Sequence, residues 1–194
     1  MKRIKCTALA FLIVSLCFSA ADSSDSRKID LADSTITVYV NKSGFLSAFG
    51  HNHEIHAPIE SGEVKESDPA SVELRVDARK LKVLDPEVSE GTRAQIQDKM
   101  NGIQVLDVAR FPEIRFQSTS VEAKTPGHWI AHGKLTLHGK ERPIAVEVIL
   151  EGEGYRGSAS LKQTDFGITP VTVAGGTVKV KDELKIEFEI ALIK

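Results

Sequence analysis

Hydrophobic side chains recur at every second position through most of this chain. Ile36, Val38 and Val40 share one face of a first strand, and Val72, Leu74, Val76 and Ala78 share one face of another, against Glu73, Arg75 and Asp77. Ile114 with Phe116, then Trp129, Ala131, Leu135 and Leu137, then Ile144, Val146, Val148 and Leu150 continue the alternation. The last run is the most regular: Leu184, Ile186, Phe188, Ile190 and Leu192 alternate with Glu183, Lys185, Glu187 and Glu189. A period of two puts successive side chains on opposite faces of an extended strand, so each strand has one dry and one wet side. One-sided strands must close around a shared interior.

One segment breaks the pattern towards a helix. Thr92 with Gln95 has the form of a capping box, Arg93 to Met100 holds good helix formers, and Asn101-Gly102 suits a C-terminal stop. A short turn is expected over Val105 to Ala109, and Pro112 forces Phe111 into an extended conformation that launches the next strand. Gly175-Gly176 reads as a hairpin turn between strands. The pattern predicts an all-β fold, an antiparallel lipocalin-like β-barrel of about eight strands with one short inserted helix, whose interior can hold one small ligand. A filled β-sandwich is the alternative for the same strands.

The N-terminus changes where this domain is expected to work. Lys2, Arg3 and Lys5 precede an apolar run, Cys6 to Phe18, too short to span a bilayer, and Ser19-Ala20-Ala21 offers the small residues that a signal peptidase accepts. Residues 1–21 are therefore expected to be a signal peptide, 22–28 a flexible lead-in, and 29–194 the barrel domain of a periplasmic or secreted protein. Leu16 stands before Cys17 where a lipid-modified cysteine wants a small neighbour, which argues against a stable membrane anchor on the mature chain. Both cysteines leave with the signal, so the mature chain has no disulfide, thiol nucleophile or thiolate metal ligand. Of 25 basic residues three leave as well, and the remaining 22 against 27 acidic ones give a net charge of −5. With no Lys/Arg cluster and 6% aromatic residues, no nucleic-acid surface is expected.

Catalysis needs a nucleophile, a base and an orienting group, and no GxSxG elbow, thiol or phosphate-cradling loop is present in the mature chain. A binding protein is expected, not an enzyme, with no cofactor. His51-Asn52-His53-Glu54-Ile55-His56 is the one ligand-like string: on a strand His51 and His53 project to one face while Glu54 and His56 point the other way. It lacks one residue of HExxH, and Ala57-Pro58 stand where a cupin-type HxH site expects a glutamate. His51 or His53 could instead hydrogen-bond a ligand head group at a barrel mouth. His128, His132 and His138 share parity with Lys134 and Thr136 and are expected to face water.

Asp107, Phe111-Pro112, Ile114, Phe116 and Ser118, then the run Gly133 to Gly139 with Arg142-Pro143, then Asp165-Phe166-Gly167-Ile168, form an ordered set. It resembles the YceI-like family of exported polyisoprenoid-binding proteins, and Arg93 matches that family's helix arginine. The resemblance covers roughly residues 29 to 193. It implies a lipocalin-like barrel with a long isoprenoid tail in its lumen. Two departures stand out: Val105-Leu106 where the family often has paired aromatics, and the unusual string from Gly44 to Pro58.

The expected function is thus an exported carrier of an isoprenoid-type lipid or quinone. Candidate ligand-binding residues are Phe45, Phe49, His51, His53, Phe111, Phe116, Trp129, Phe166 and Phe188. Burying about twenty carbons at about 0.8 kcal/mol each supplies on the order of 10 kcal/mol or more before ordering costs, against about 8.2 kcal/mol for a micromolar complex. Two other functions remain open: a histidine-dependent metal-binding barrel using His51 and His53, and a filled barrel that contacts a partner protein through its loops. Self-association as a homodimer is open too.

Overall fold

A computed structural model describes residues 25–43, 52–173 and 178–193. The segment read as a signal peptide, together with Phe45, Phe49, His51 and Gly175-Gly176, lies outside these described residues. In chain order the strands are β1 (Ser26–Ser43), β2 (His53–His56), β3 (Ile59–Lys65), β4 (Ser71–Asp77), β5 (Lys82–Val83), β6 (Glu113–Thr125), β7 (His128–Leu137), β8 (Lys140–Glu151), β9 (Gly154–Lys162), β10 (Thr172–Val173) and β11 (Val178–Leu192). The one α-helix among the described residues, α1 (Glu90–Asn101), falls between β5 and β6.

Neighbouring strands run β11-β9-β8-β7-β6-β4-β3-β1, and β1 pairs back onto β11, closing eight antiparallel strands into a barrel. Closure is set by a register in which Ile29 faces Leu192 and Val38 faces Ile186. β2 and β5 extend the sheet beside the second half of β1, and β10 pairs with the start of β11. The alternating residues then face one lumen, as the period-two pattern requires. A filled sandwich is excluded by the closed topology and by burial: Val146 and Val148 on β8, and Leu184, Ile186 and Phe188 on β11, are only partly buried although they are on the inner face. Tight packing concentrates elsewhere, as in the cluster of Leu135, Leu137, Leu161, Phe166 and Ile168.

Three local expectations shift. β1 begins at Ser26, because the backbone of Ser26, Arg27 and Lys28 pairs with Lys65, Val64 and Glu63; these polar residues belong to the barrel and not to a lead-in. The helix begins three residues before the expected box: Ser89 is the N-cap, its hydroxyl accepting from Thr92 N at 3.2 Å, and Thr92 sits inside the first turn. Leu150, expected on the dry side, is 47% exposed near the end of β8. At the other helix end Gly102 N donates to the Asp98 and Lys99 carbonyls, as the Asn101-Gly102 stop requires.

Gln97 fixes α1 to the barrel. Its Oε1 accepts from Val83 N and its Nε2 donates to the Leu81 carbonyl, both at 2.9 Å. Replacing Ser89 by alanine removes the N-cap acceptor and is expected to cost about 1 kcal/mol of stability, read as a lower urea midpoint at unchanged slope.

The barrel lumen as candidate functional site

The lumen is a cavity of about 700 Å³, within the range of sites that enclose a small ligand. All eight barrel strands contribute to its wall, among them Val38, Val64, Leu74, Phe116, Ala131, Val146, Ala159 and Ile186. Two aromatic rings that reach into it stand over glycines on adjacent strands. A Cβ at Gly133 would lie 2.5 Å from the Phe116 ring, and one at Gly157 would lie 2.5 Å from the Phe188 ring and 1.9 Å from the Glu147 carbonyl oxygen. Each glycine opens the space its aromatic neighbour occupies.

Polar groups gather at the two ends. At the end covered by α1, Lys42, His53, Thr92, Lys99 and Lys179 line the cavity. His53 and Ile55 on β2 face the lumen, leaving Glu54 and His56 on the opposite face. His53 Nδ1 lies 2.6 Å from Asp85 Oδ2, and Asp85 Oδ1 accepts from Glu54 N at 2.8 Å. The Asp85 side chain is 2% exposed and that of His53 21%, so a buried carboxylate holds a ring that still reaches open space. Among the described residues, no three His, Cys, Asp or Glu side chains converge as a metal site.

At the far end, Trp129 and Tyr155 meet edge to face at 6.1 Å, and both line the cavity with Glu66. The Tyr155 hydroxyl donates to Glu66, whose other oxygen is 3.4 Å from Arg27 Nη1. Burial first, then the hydrogen bond to Glu66 and its charge, push the Tyr155 phenol up to about 12 from 10. Between those values the unfolded chain releases the proton and the folded one keeps it, so stability contributed by this group is complete below pH 10 and is lost as pH rises towards about 12. Urea unfolding at stepped alkaline pH is expected to show a shallower decline for Tyr155→Phe than for the wild type. Some slope persists, because burial and then Glu187 and Glu54 raise Tyr39 as well.

Of the residues expected at a ligand, His53, Phe116, Trp129 and Phe188 line this cavity. Phe111 and Phe166 do not. Phe111 packs edge-on against His138 at 4.7 Å beside Gly139, and Phe166, 1% exposed, is buried in the cluster with Leu135, Leu137, Leu161 and Ile168. His138 departs from the parity expectation. It occupies the turn after β7 with φ 50° and turns its Nδ1 to the Phe166 carbonyl at 3.2 Å, whereas His128 and His132 are beside Glu147 and Glu122 on the outer face. Several residues that carry the family resemblance are corner pieces: Asp107 is buried and paired with Arg110, and Arg142 Nε donates to the Asp165 carbonyl. Sequence reasoning missed Asp85, for which the only signal is a carboxylate in a stretch with no alternation.

A closed antiparallel barrel around an open apolar lumen, with a helix over one end, defines the lipocalin-like class of barrels. Residues 28–192 match the YceI-like domain, and the chain belongs to that family. It is 28% identical over 171 residues to a UPF0312 protein of Shewanella sp. strain W3-18-1, covering 82% of this chain and 85% of the relative. A UPF0312 protein of Shewanella oneidensis is 28% identical over 147 residues, 71% of this chain and 72% of the relative. Among solved structures, BcnA of Burkholderia cenocepacia superposes with a TM-score of 0.66 at 19% identity, over 86% of this chain and 99% of that one. A polyisoprenoid binding domain from Saccharophagus degradans superposes at 0.52 with 10% identity, over 86% and 96%. At such identities the structural likeness speaks to the fold.

Proposed function

We propose that this protein is an exported lipid carrier that holds an amphiphile with an isoprenoid-type tail, a polyprenyl lipid or an isoprenoid quinone, in its lumen. The observation that carries this reading is the 700 Å³ cavity walled by aliphatic and aromatic side chains from every barrel strand. Such a wall offers dispersion and hydrophobic burial along a chain but few polar partners, which suits a long path of apolar carbon better than a compact polar metabolite. Membership of the YceI-like family supports the same class of ligand, as does the fold shared with a polyisoprenoid binding domain. Export rests on the basic, apolar and small-residue sequence of residues 1–21.

The metal alternative has less to stand on. His51, one of its two residues, lies outside the described residues, and among the described residues three potential ligands do not converge. Native mass spectrometry of the full chain purified from an exporting host, followed by extraction into organic solvent, tests the proposal. An isoprenoid mass released with one-to-one stoichiometry is expected. A protein that emerges bare and also fails to take up added geranylgeraniol would overturn it.

A further inference from the structure

The geometry points to a specificity device at the α1 end of the lumen: His53, held by Asp85, selects amphiphiles whose head group carries a hydroxyl donor. This deepens the lipid-carrier reading and rests on it, narrowing the ligands named there to prenols and the reduced, quinol form of an isoprenoid quinone. Asp85 has no proton to donate when ionised, so at 2.6 Å its Oδ2 is the acceptor for His53 Nδ1–H, while Oδ1 is already committed to Glu54 N–H. With the proton fixed on Nδ1, the neutral ring keeps its lone pair on Nε2. His53 lines the cavity, and Nε2 has no hydrogen-bond partner among the described residues. The ring therefore offers the lumen an acceptor. Asp85 is a positioning residue that sets which way this hydrogen bond runs.

An acceptor discriminates by chemistry and not by size. A prenol or a hydroquinone can donate its O–H to Nε2, and Thr92 and Lys99, which line the same cavity, are donors suited to the hydroxyl oxygen. An aldehyde or a quinone brings only carbonyl lone pairs, which can accept from such donors but offer Nε2 no proton, so the ring acceptor is left without a partner. A site made to hydrogen-bond a hydroxyl rejects the analogue that lacks it more strongly than an apolar pocket rejects a missing methylene.

The test compares geranylgeraniol with geranylgeranial, identical in tail, by competition binding to the full chain on the alkaline plateau of the pH profile. The wild type is expected to prefer the alcohol about tenfold, as one hydrogen bond gained against one acceptor left unpaired implies. His53→Leu should bring the ratio to about one. Asp85→Asn should invert it: the amide oxygen can still accept from Glu54 N–H, the amide nitrogen then donates to Nδ1, and the ring proton moves to Nε2. Long-range nitrogen–proton NMR of His53 reads the tautomer without ligand, so the assignment stays testable should Asp85→Asn fold poorly. A proton on Nε2 in the wild type, or an alcohol-to-aldehyde ratio unchanged in both variants, overturns the selector and leaves the carrier reading in place. Failure of the wild type to bind either compound overturns the carrier reading and the selector with it.

Discussion

Replacing Val146 by phenylalanine is expected to weaken isoprenoid binding by a factor of about a hundred to a thousand while the barrel stays folded. Val146 is on the inner face of β8 between Ala131 of β7 and Ala159 of β9, and all three line the lumen. Val146 is only partly buried between these two small neighbours, so the larger ring extends into open cavity and avoids the strain that overpacking imposes on a filled core. It takes the place of tail. Displacing roughly one isoprene unit, five carbons at about 0.8 kcal/mol each, removes about 4 kcal/mol, close to a thousandfold in affinity. Displacement titration with geranylgeraniol reads the loss, and thermal unfolding checks the fold. Binding unchanged in Val146→Phe would mean that the tail lies outside the lumen.

The opposite signature is expected for Gly157→Ala: a loss of about 3 kcal/mol or more in stability, with any ligand effect secondary. The added Cβ would sit 1.9 Å from the Glu147 carbonyl oxygen, a backbone atom of the paired strand β8. A flexible side chain could move aside, but a carbonyl in a hydrogen-bonded ladder moves only with its strand. The Phe188 ring, 2.5 Å away, blocks the lumen side. Because backbone supplies the closest contact, trimming Phe188 to alanine in the same chain should not restore stability. Urea unfolding of the single and double variants measures both statements.

Much of the barrel was legible because period-two alternation is a local signal. Val72, Leu74 and Val76, or Leu184, Ile186 and Phe188, state which way each side chain points without reference to any neighbour. What alternation does not encode is which contacts lie across the barrel. Asp85 is 32 residues from His53 in sequence and becomes its partner only because β5 pairs with β2 and brings the following residues alongside. The aromatics divide on the same ground: Phe116, Trp129 and Phe188 lie within alternating strands and line the lumen, whereas Phe111 and Phe166 precede or follow strands, where side-chain direction is set by turns. The helix cap moved to Ser89 because Ser-x-x-Thr and Thr-x-x-Gln compete three residues apart, and the chain uses the earlier hydroxyl. Polar Ser26 to Lys28 entered β1 through backbone pairing alone, which composition does not report.

The seam between β1 and β11 joins Ile29 to Leu192 and Ile36 to Phe188, contacts that span most of the described chain. Contacts of such sequence separation form late, since the entropy of closing the longest loop must be met before they return any energy. Until β11 docks, the other strands make an open, curled sheet with one apolar face exposed to water, not a container. Folding and the birth of the binding site are thus one event, and a hydrophobic guest already resting on that face would favour the last strand's arrival by the same contacts that later hold it in place.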